Sequence, residues 1–196
     1  MLLLGFACAR PEPIDPAPLG SALAAGMELV YASGDAEQPP WTVESLEQPS
    51  LISGLTHCVR LTLRMAPAPA APDTRAWCVQ DWKLLAYNDS TLDFRPLRPV
   101  GPGMILDLPG PAGGLIRYET GQLERDTVGP AVLDVLPTTI TTLDAEGRAI
   151  RRLRERYAMA ITSATRGTFE RPDSLRPGEW TATREFRLIA VRRPAR

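Results

Sequence analysis

Long apolar runs are missing from these 196 residues. A helix that crosses a bilayer needs about 20 consecutive apolar residues, and no segment approaches that, so a spanning helix is excluded. Histidine is almost absent too, with His57 the only one. A zinc site built on histidines therefore lacks ligands, and no His-Glu-x-x-His segment occurs. His57 stands beside Cys58, but neighbouring strand residues point to opposite faces, which excludes a Cys/His nucleophile pair. Lysine is reduced to Lys83 against 21 arginines. No Gly-rich loop adjoins it, so a phosphate-cradling P-loop is absent. There is no Gly-x-Ser-x-Gly elbow. Gly101, Gly103, Gly113 and Gly114 read as turn glycines, because no strand–loop–helix unit surrounds them. Carboxylate pairs such as Asp89 and Asp93 could serve as acid and base, but among 23 acids such a pair has little specificity. The chain is therefore expected to be no enzyme and to need neither metal nor cofactor.

Proline is abundant: 20 residues, about twice the usual share. Proline ends helices and is excluded from central strand positions, so this density favours many short strands and turns. Residues Val59 to Met65 alternate strictly, apolar at 59, 61, 63 and 65, the mark of a half-buried strand. Trp77 and Val79 flank Cys78, and the Pro-rich segment 66–72 lies between. Folded as an antiparallel hairpin centred near Ala68, this stretch sets Cys58 opposite Cys78 and Val59 opposite Trp77. A disulfide there would close a loop of about 20 residues and stabilise by roughly 3 kcal/mol. It would also require an oxidising compartment. Trp41, Trp77, Trp82 and Trp180 are candidates for the wall of a ligand cavity, although tryptophan beside a disulfide more commonly belongs to the core.

Further strands are expected at Met27–Ala32, Trp41–Leu46, Lys83–Tyr87, Thr91–Arg95, Met104–Leu108, Leu115–Tyr118, Leu133–Leu143 with a break at Pro137, and Thr181–Arg192. A short helical turn is expected over Ser21–Ala25. Residues 148–164 fit either a helical stripe or a strand. The Asp144-Ala-Glu-Gly147 turn favours a strand, with Leu153, Tyr157, Met159 and Ile161 on one face at the cost of placing Glu155 among them. The resulting fold class is mostly β, with little helix: an antiparallel meander of roughly ten strands forming a barrel, half-barrel or sandwich.

Charge divides the chain. Residues 1–147 carry a net charge of −9 and residues 148–196 one of +8. Arg148, Arg151, Arg152, Arg154 and Arg156 are the densest part. They would offer a basic surface to an anionic lipid or envelope polymer, or simply form a solvated strand face paired with acids from the rest of the chain. No nucleic-acid-binding motif is present, and no protein partner is indicated.

The first eight residues, Met1-Leu-Leu-Leu-Gly-Phe-Ala-Cys8, set an apolar run and a small residue directly before a cysteine, and a Pro-rich polar stretch follows. This resembles the end of a bacterial lipoprotein signal. It departs from the pattern at Gly5, where leucine is preferred, and in having no basic residue ahead of the apolar run. The resemblance implies that Cys8 is lipidated and anchors the protein to a membrane without spanning it. Ala9 after the cysteine is similar to lipoproteins sorted to the outer membrane, on its periplasmic side. The expected layout is a signal remnant at 1–8, a tether at 9–25 and one β-rich domain at 26–196. The expected function is a non-catalytic, membrane-anchored extracytoplasmic module for interaction or structure, the alternative being a carrier of a lipid or other apolar ligand in the envelope. A carrier requires a large apolar cavity, an interaction module a filled core with an exposed patch, and an enzyme polar groups converging in a cleft.

Overall fold

The computed structural model describes residues 19–47, 58–65, 72–88 and 93–193. The strands are β1 (Glu28–Ser33), β2 (Ala36–Glu37), β3 (Trp41–Glu47), β4 (Cys58–Met65), β5 (Asp73–Gln80), β6 (Lys83–Asn88), β7 (Asp93–Pro99), β8 (Ile105–Pro109), β9 (Leu115–Thr120), β10 (Glu124–Val128), β11 (Ala131–Leu143), β12 (Ala149–Ala158), β13 (Ser163–Pro172) and β14 (Trp180–Arg192). Helix is limited, among the described residues, to single 3-10 turns at Pro111–Gly113 and Met159–Ile161.

Every strand pairing is antiparallel, in the order β7-β6-β5-β4-β3-β1-β14-β13-β12-β11-β9-β8. The two end strands, β7 and β8, lie against each other without a ladder, so the sheet is nearly closed into a barrel. β1 joins its two halves. It pairs with β14 over much of its length but with β3 only through Glu28–Thr42 and Leu29–Trp41. Two thin seams thus divide the wall into an N-terminal plate, β3 to β7, and a longer-stranded C-terminal plate, β8 to β14 with β1.

The expected hairpin is present in the expected register. Cys58 faces Cys78 and Val59 faces Trp77, and the two sulfurs are bonded at 2.06 Å. The disulfide packs with Ala76 and Phe94 on the outer face, while Val59 and Trp77 point inward to the core. Residues 148–164 also take the extended form: β12 runs to Ala158, turns through Met159–Ile161 and returns as β13. Three features depart from expectation. β11 is not broken at Pro137 but changes partner there, from β10 to β9. Proline has no N–H to give, and its carbonyl accepts from Gly121 N at 2.8 Å. Ser21–Ala25 forms turns instead of helix, as so short a segment cannot offset the cost of nucleation. Leu19 and Leu23, placed by sequence in the tether, are only 5% and 6% exposed.

Those leucines belong to the core. It spans both plates and includes the end of the barrel where β12 turns into β13. There Leu19, Leu23 and the Met159–Ile161 turn pack with Val128, Leu133 and Val135 of the β10–β11 hairpin. Gly20 N and Ala22 N each donate to that turn, to Met159 O and Ala160 O at 2.9 Å. One end of the barrel is therefore covered by apolar packing.

Cutting the Cys58–Cys78 bond removes a constraint on the unfolded chain and should lower stability by about 3 kcal/mol. Urea unfolding of the protein with and without reductant would show this as a lower midpoint with the β spectrum retained. An unchanged midpoint would contradict the structural role assigned to the bridge.

Candidate functional site

A cavity of about 450 Å³ lies on the inner face of the barrel, bordered by core residues such as Leu63, Trp77 and Leu84. Its walls come from both plates: Trp41 and Trp77 from the N-terminal one; Tyr31, Tyr118, Tyr157 and Phe186 from the C-terminal one. Each points inward because it shares the face of core neighbours in register. Trp77 lies opposite Ala86 on one side and Val59 on the other, and Tyr31 lies opposite Leu188. Phe186 lies against Gly167 so closely that a Cβ there would stand 2.6 Å from the ring. Glycine at 167 is what lets the ring lie along the wall.

A single arginine crosses this interior. The β6–β7 ladder slips between Leu84 and Leu85, so that Arg98 lies opposite buried Leu84 while Pro96 lies opposite Leu85. Such a bulge re-aims side chains, and both Leu97 and Arg98 line the cavity. Arg98 Nη1 donates to Glu155 Oε1 of β12 at 2.6 Å, and Nη2 to Thr138 Oγ1 of β11 at 3.2 Å. Its guanidinium stacks on the Tyr157 ring, 3.7 Å from the centroid, a favourable cation–π geometry. The side chains of Arg98 and Glu155 are 11% and 8% exposed, so this is a buried ion pair joining the two plates.

Two polar atoms in the site have no partner among the described residues: Arg98 Nε and the Tyr157 hydroxyl. Burial pushes the Tyr157 phenol up to about 12, with Glu155 adding to the rise and Arg98 opposing it. Burial also raises Tyr31, whose hydroxyl lies 2.6 Å from Ser163 Oγ, and Tyr118. All three phenols therefore stay protonated at neutral pH and can donate. Tyr157 also forms part of the wall of a second, apolar pocket of about 260 Å³, lined by Val100, Leu123, Val132, Leu136 and Met159 among others.

The arginines singled out by sequence do not meet in this site, nor on one face. Arg152, Arg154 and Arg156 alternate onto the outer surface, where Arg152 and Arg154 share buried Glu170 and Arg156 pairs with Glu124 at 3.0 Å. Burial alone would raise the Glu170 carboxyl, but hydrogen bonds from Arg154 and Arg152 outweigh it and hold the group below its ordinary value. Arg148 pairs with Asp144 and Glu146. Arg151 faces inward and stacks on Phe169 at 4.8 Å. A concavity of about 830 Å³ on the outer face is lined by Arg154, Arg156, Arg166 and Arg187 and by Asp35, Glu119 and Glu185. Arg166 there is held by Asp126 at 3.2 Å. With Asp126, four acids stand against the four arginines, which leaves no excess charge for an anionic ligand. Cys58 and Cys78 lie away from the cavity, whereas Cys8 and His57 fall outside the described residues.

Sequence reasoning named Trp41 and Trp77 as cavity candidates but missed Arg98, Tyr31 and Tyr118. It did register the anomaly of Glu155 on an apolar strand face. A carboxylate among Leu153 and Tyr157 needs a buried cation, and that was the available signal for Arg98.

The fold and site together define a nearly closed antiparallel barrel with an aromatic, polar-centred interior. Comparison with known proteins found no family model matching the chain, and no curated protein or solved structure similar to it.

Replacing Arg98 by Met leaves Glu155 buried and unpaired, and should cost about 3–5 kcal/mol. Glu155→Leu should cost a similar amount, and the Arg98→Met/Glu155→Leu double variant should recover most of the loss, as read by urea unfolding. Additive losses would contradict a coupled pair. For Tyr157, whose folded pKa is raised, the sign is fixed. The stability carried by its neutral phenol is complete below about pH 10, where the unfolded residue titrates, and is lost as pH rises towards about 12. Unfolding midpoints should therefore fall more steeply across that window in the wild type than in Tyr157→Phe, and parallel curves would contradict the assignment.

Proposed function

We propose that this protein is an extracytoplasmic carrier, tethered through lipidated Cys8, that shelters a small apolar or amphipathic ligand inside its barrel. The observation that carries the reading is the interior cavity of about 450 Å³, a volume in the range of small-ligand sites. Its walls are mainly apolar, with six aromatic residues, and Arg98, Glu155 and Tyr157 form a polar cluster within it. An interaction module, the first expectation from sequence, calls for a filled core with a contiguous surface patch. Among the exposed apolar residues, Met65, Ile105 and Leu175 lie on separate segments, whereas Leu123 and Val132 share the pocket of about 260 Å³ beside Tyr157.

The Cys58–Cys78 disulfide supports the compartment, since such bonds persist where the surroundings are oxidising. The Cys8 segment supports the anchor. Attachment to the periplasmic side of the outer membrane would place the cavity where apolar molecules must cross water between membranes.

Native mass spectrometry of the full chain purified from bacterial membranes tests this. The expected spectrum shows an acyl mass on Cys8, a two-hydrogen deficit from the disulfide, and a co-purifying small molecule that leaves on activation. A bare chain with two free thiols would contradict the compartment. An anchored, oxidised chain that carries no ligand and takes up none from added lipid would return the reading to an interaction module.

A further inference from the structure

We infer that the ligand is a single-headed amphiphile, with a carboxylate received by Arg98 and Tyr157 and an apolar tail laid along the inner face of the C-terminal plate. This deepens the carrier reading and rests on it.

The head follows from what is unmatched in the cavity. Glu155 is committed to Arg98, and Arg75, which lines the same cavity, is paired with Asp73 at 2.5 Å. A cationic head therefore finds no free carboxylate. The unmatched groups are Arg98 Nε and the Tyr157 hydroxyl. Both are buried atoms of side chains that line the cavity, and the guanidinium carbon lies 3.7 Å from the centroid of the Tyr157 ring. Burial of an unmatched donor is costly. A ligand that offers two acceptor oxygens removes that cost at both groups, and a carboxylate does so with charge-assisted bonds to the guanidinium. The raised pKa of Tyr157 keeps its proton available for donation.

The tail follows from register. Leu106 lies opposite Tyr118, Tyr118 opposite Ile140, Ile140 opposite Leu153, and Leu153 opposite Phe169. These five residues form one row across β8, β9, β11, β12 and β13. Tyr118 ties the row to the cavity, since it lines both. All five are half-buried, and none belongs to the packed core. With strands about 4.8 Å apart, the row is about 19 Å long, a continuous apolar track suited to a long acyl chain. At its far end Arg151 caps Phe169. The apolar stripe, the cavity and the unmatched donors thus form one path from the plate into the floor of the barrel.

The test is calorimetric titration of the delipidated full chain with palmitate and, separately, with palmityl alcohol, which keeps the tail and lacks the carboxylate. Palmitate should bind at least about tenfold more tightly. Tyr157→Phe removes a hydroxyl that has no protein partner, so the fold should survive. It should weaken palmitate about tenfold and the alcohol far less. Glu155→Gln, which frees Arg98 from its carboxylate, should strengthen palmitate binding. Ile140→Asn, on the track, should weaken both ligands alike. Equal binding of acid and alcohol, with no effect of Tyr157→Phe, would overturn the carboxylate assignment and leave the carrier reading in place. Failure of the wild type to bind either ligand would overturn the carrier reading, and the head-group assignment with it.

Discussion

Arg98 reaches across the inside of the barrel, and the arrangement of the interior depends on where it ends. It starts on the N-terminal plate and finds all of its partners on the C-terminal one: a carboxylate at Glu155, a hydroxyl at Thr138 and an aromatic face at Tyr157. A charge taken out of water is expensive unless it is paired and hydrogen-bonded, so each of these partners is held in place by the need of the others. The two plates also meet through the shared apolar core and along two thin seams, the short β1–β3 ladder and the unladdered approach of β7 to β8. A buried ion pair is weak evidence for stability. Here it is the polar link between the plates, at the edge of the cavity.

Core and cavity share a boundary in this fold: Leu29, Leu63, Trp77, Leu84 and Tyr157 belong to the packed core and also line the cavity. The segment before β1, the Met159–Ile161 turn and the β10–β11 hairpin add apolar packing at one end of the barrel. The cavity walls include large aromatics whose polar tips stay protonated. Rings supply apolar surface while their hydroxyls fix orientation, which suits a site that must accept an apolar body without a rigid outline. The outer face is managed separately. Several of its arginines are matched to carboxylates on neighbouring strands or turns, as with Glu170 between Arg152 and Arg154, so part of the positive charge of the C-terminal quarter is neutralised on folding.

The hairpin around the disulfide was legible in the sequence to the residue, because cysteine, alternation and a Pro-rich loop are local signals. The same holds for the β-rich class and for the turn at Asp144–Gly147. β10 and β13 were not legible. β13 holds Gly167 under Phe186 and buries Glu170, so its pattern is set by what packs on it from other strands and not by its own periodicity. Arg98 was hidden for a related reason. Its inward direction comes from a slip in the β6–β7 ladder beside Pro96; proline there marks an edge or bulged strand but does not say which side chain the bulge turns inward. Glu155 was the one residue whose placement on an apolar face pointed towards the site.

A high-resolution crystal structure of the full chain, purified without delipidation, tests the central claim most directly. The account predicts an open interior with Arg98 bridging the plates and non-protein density contacting Arg98 Nε and the Tyr157 hydroxyl. An interior closed by side chains, with those two atoms satisfied by the protein itself, would contradict it.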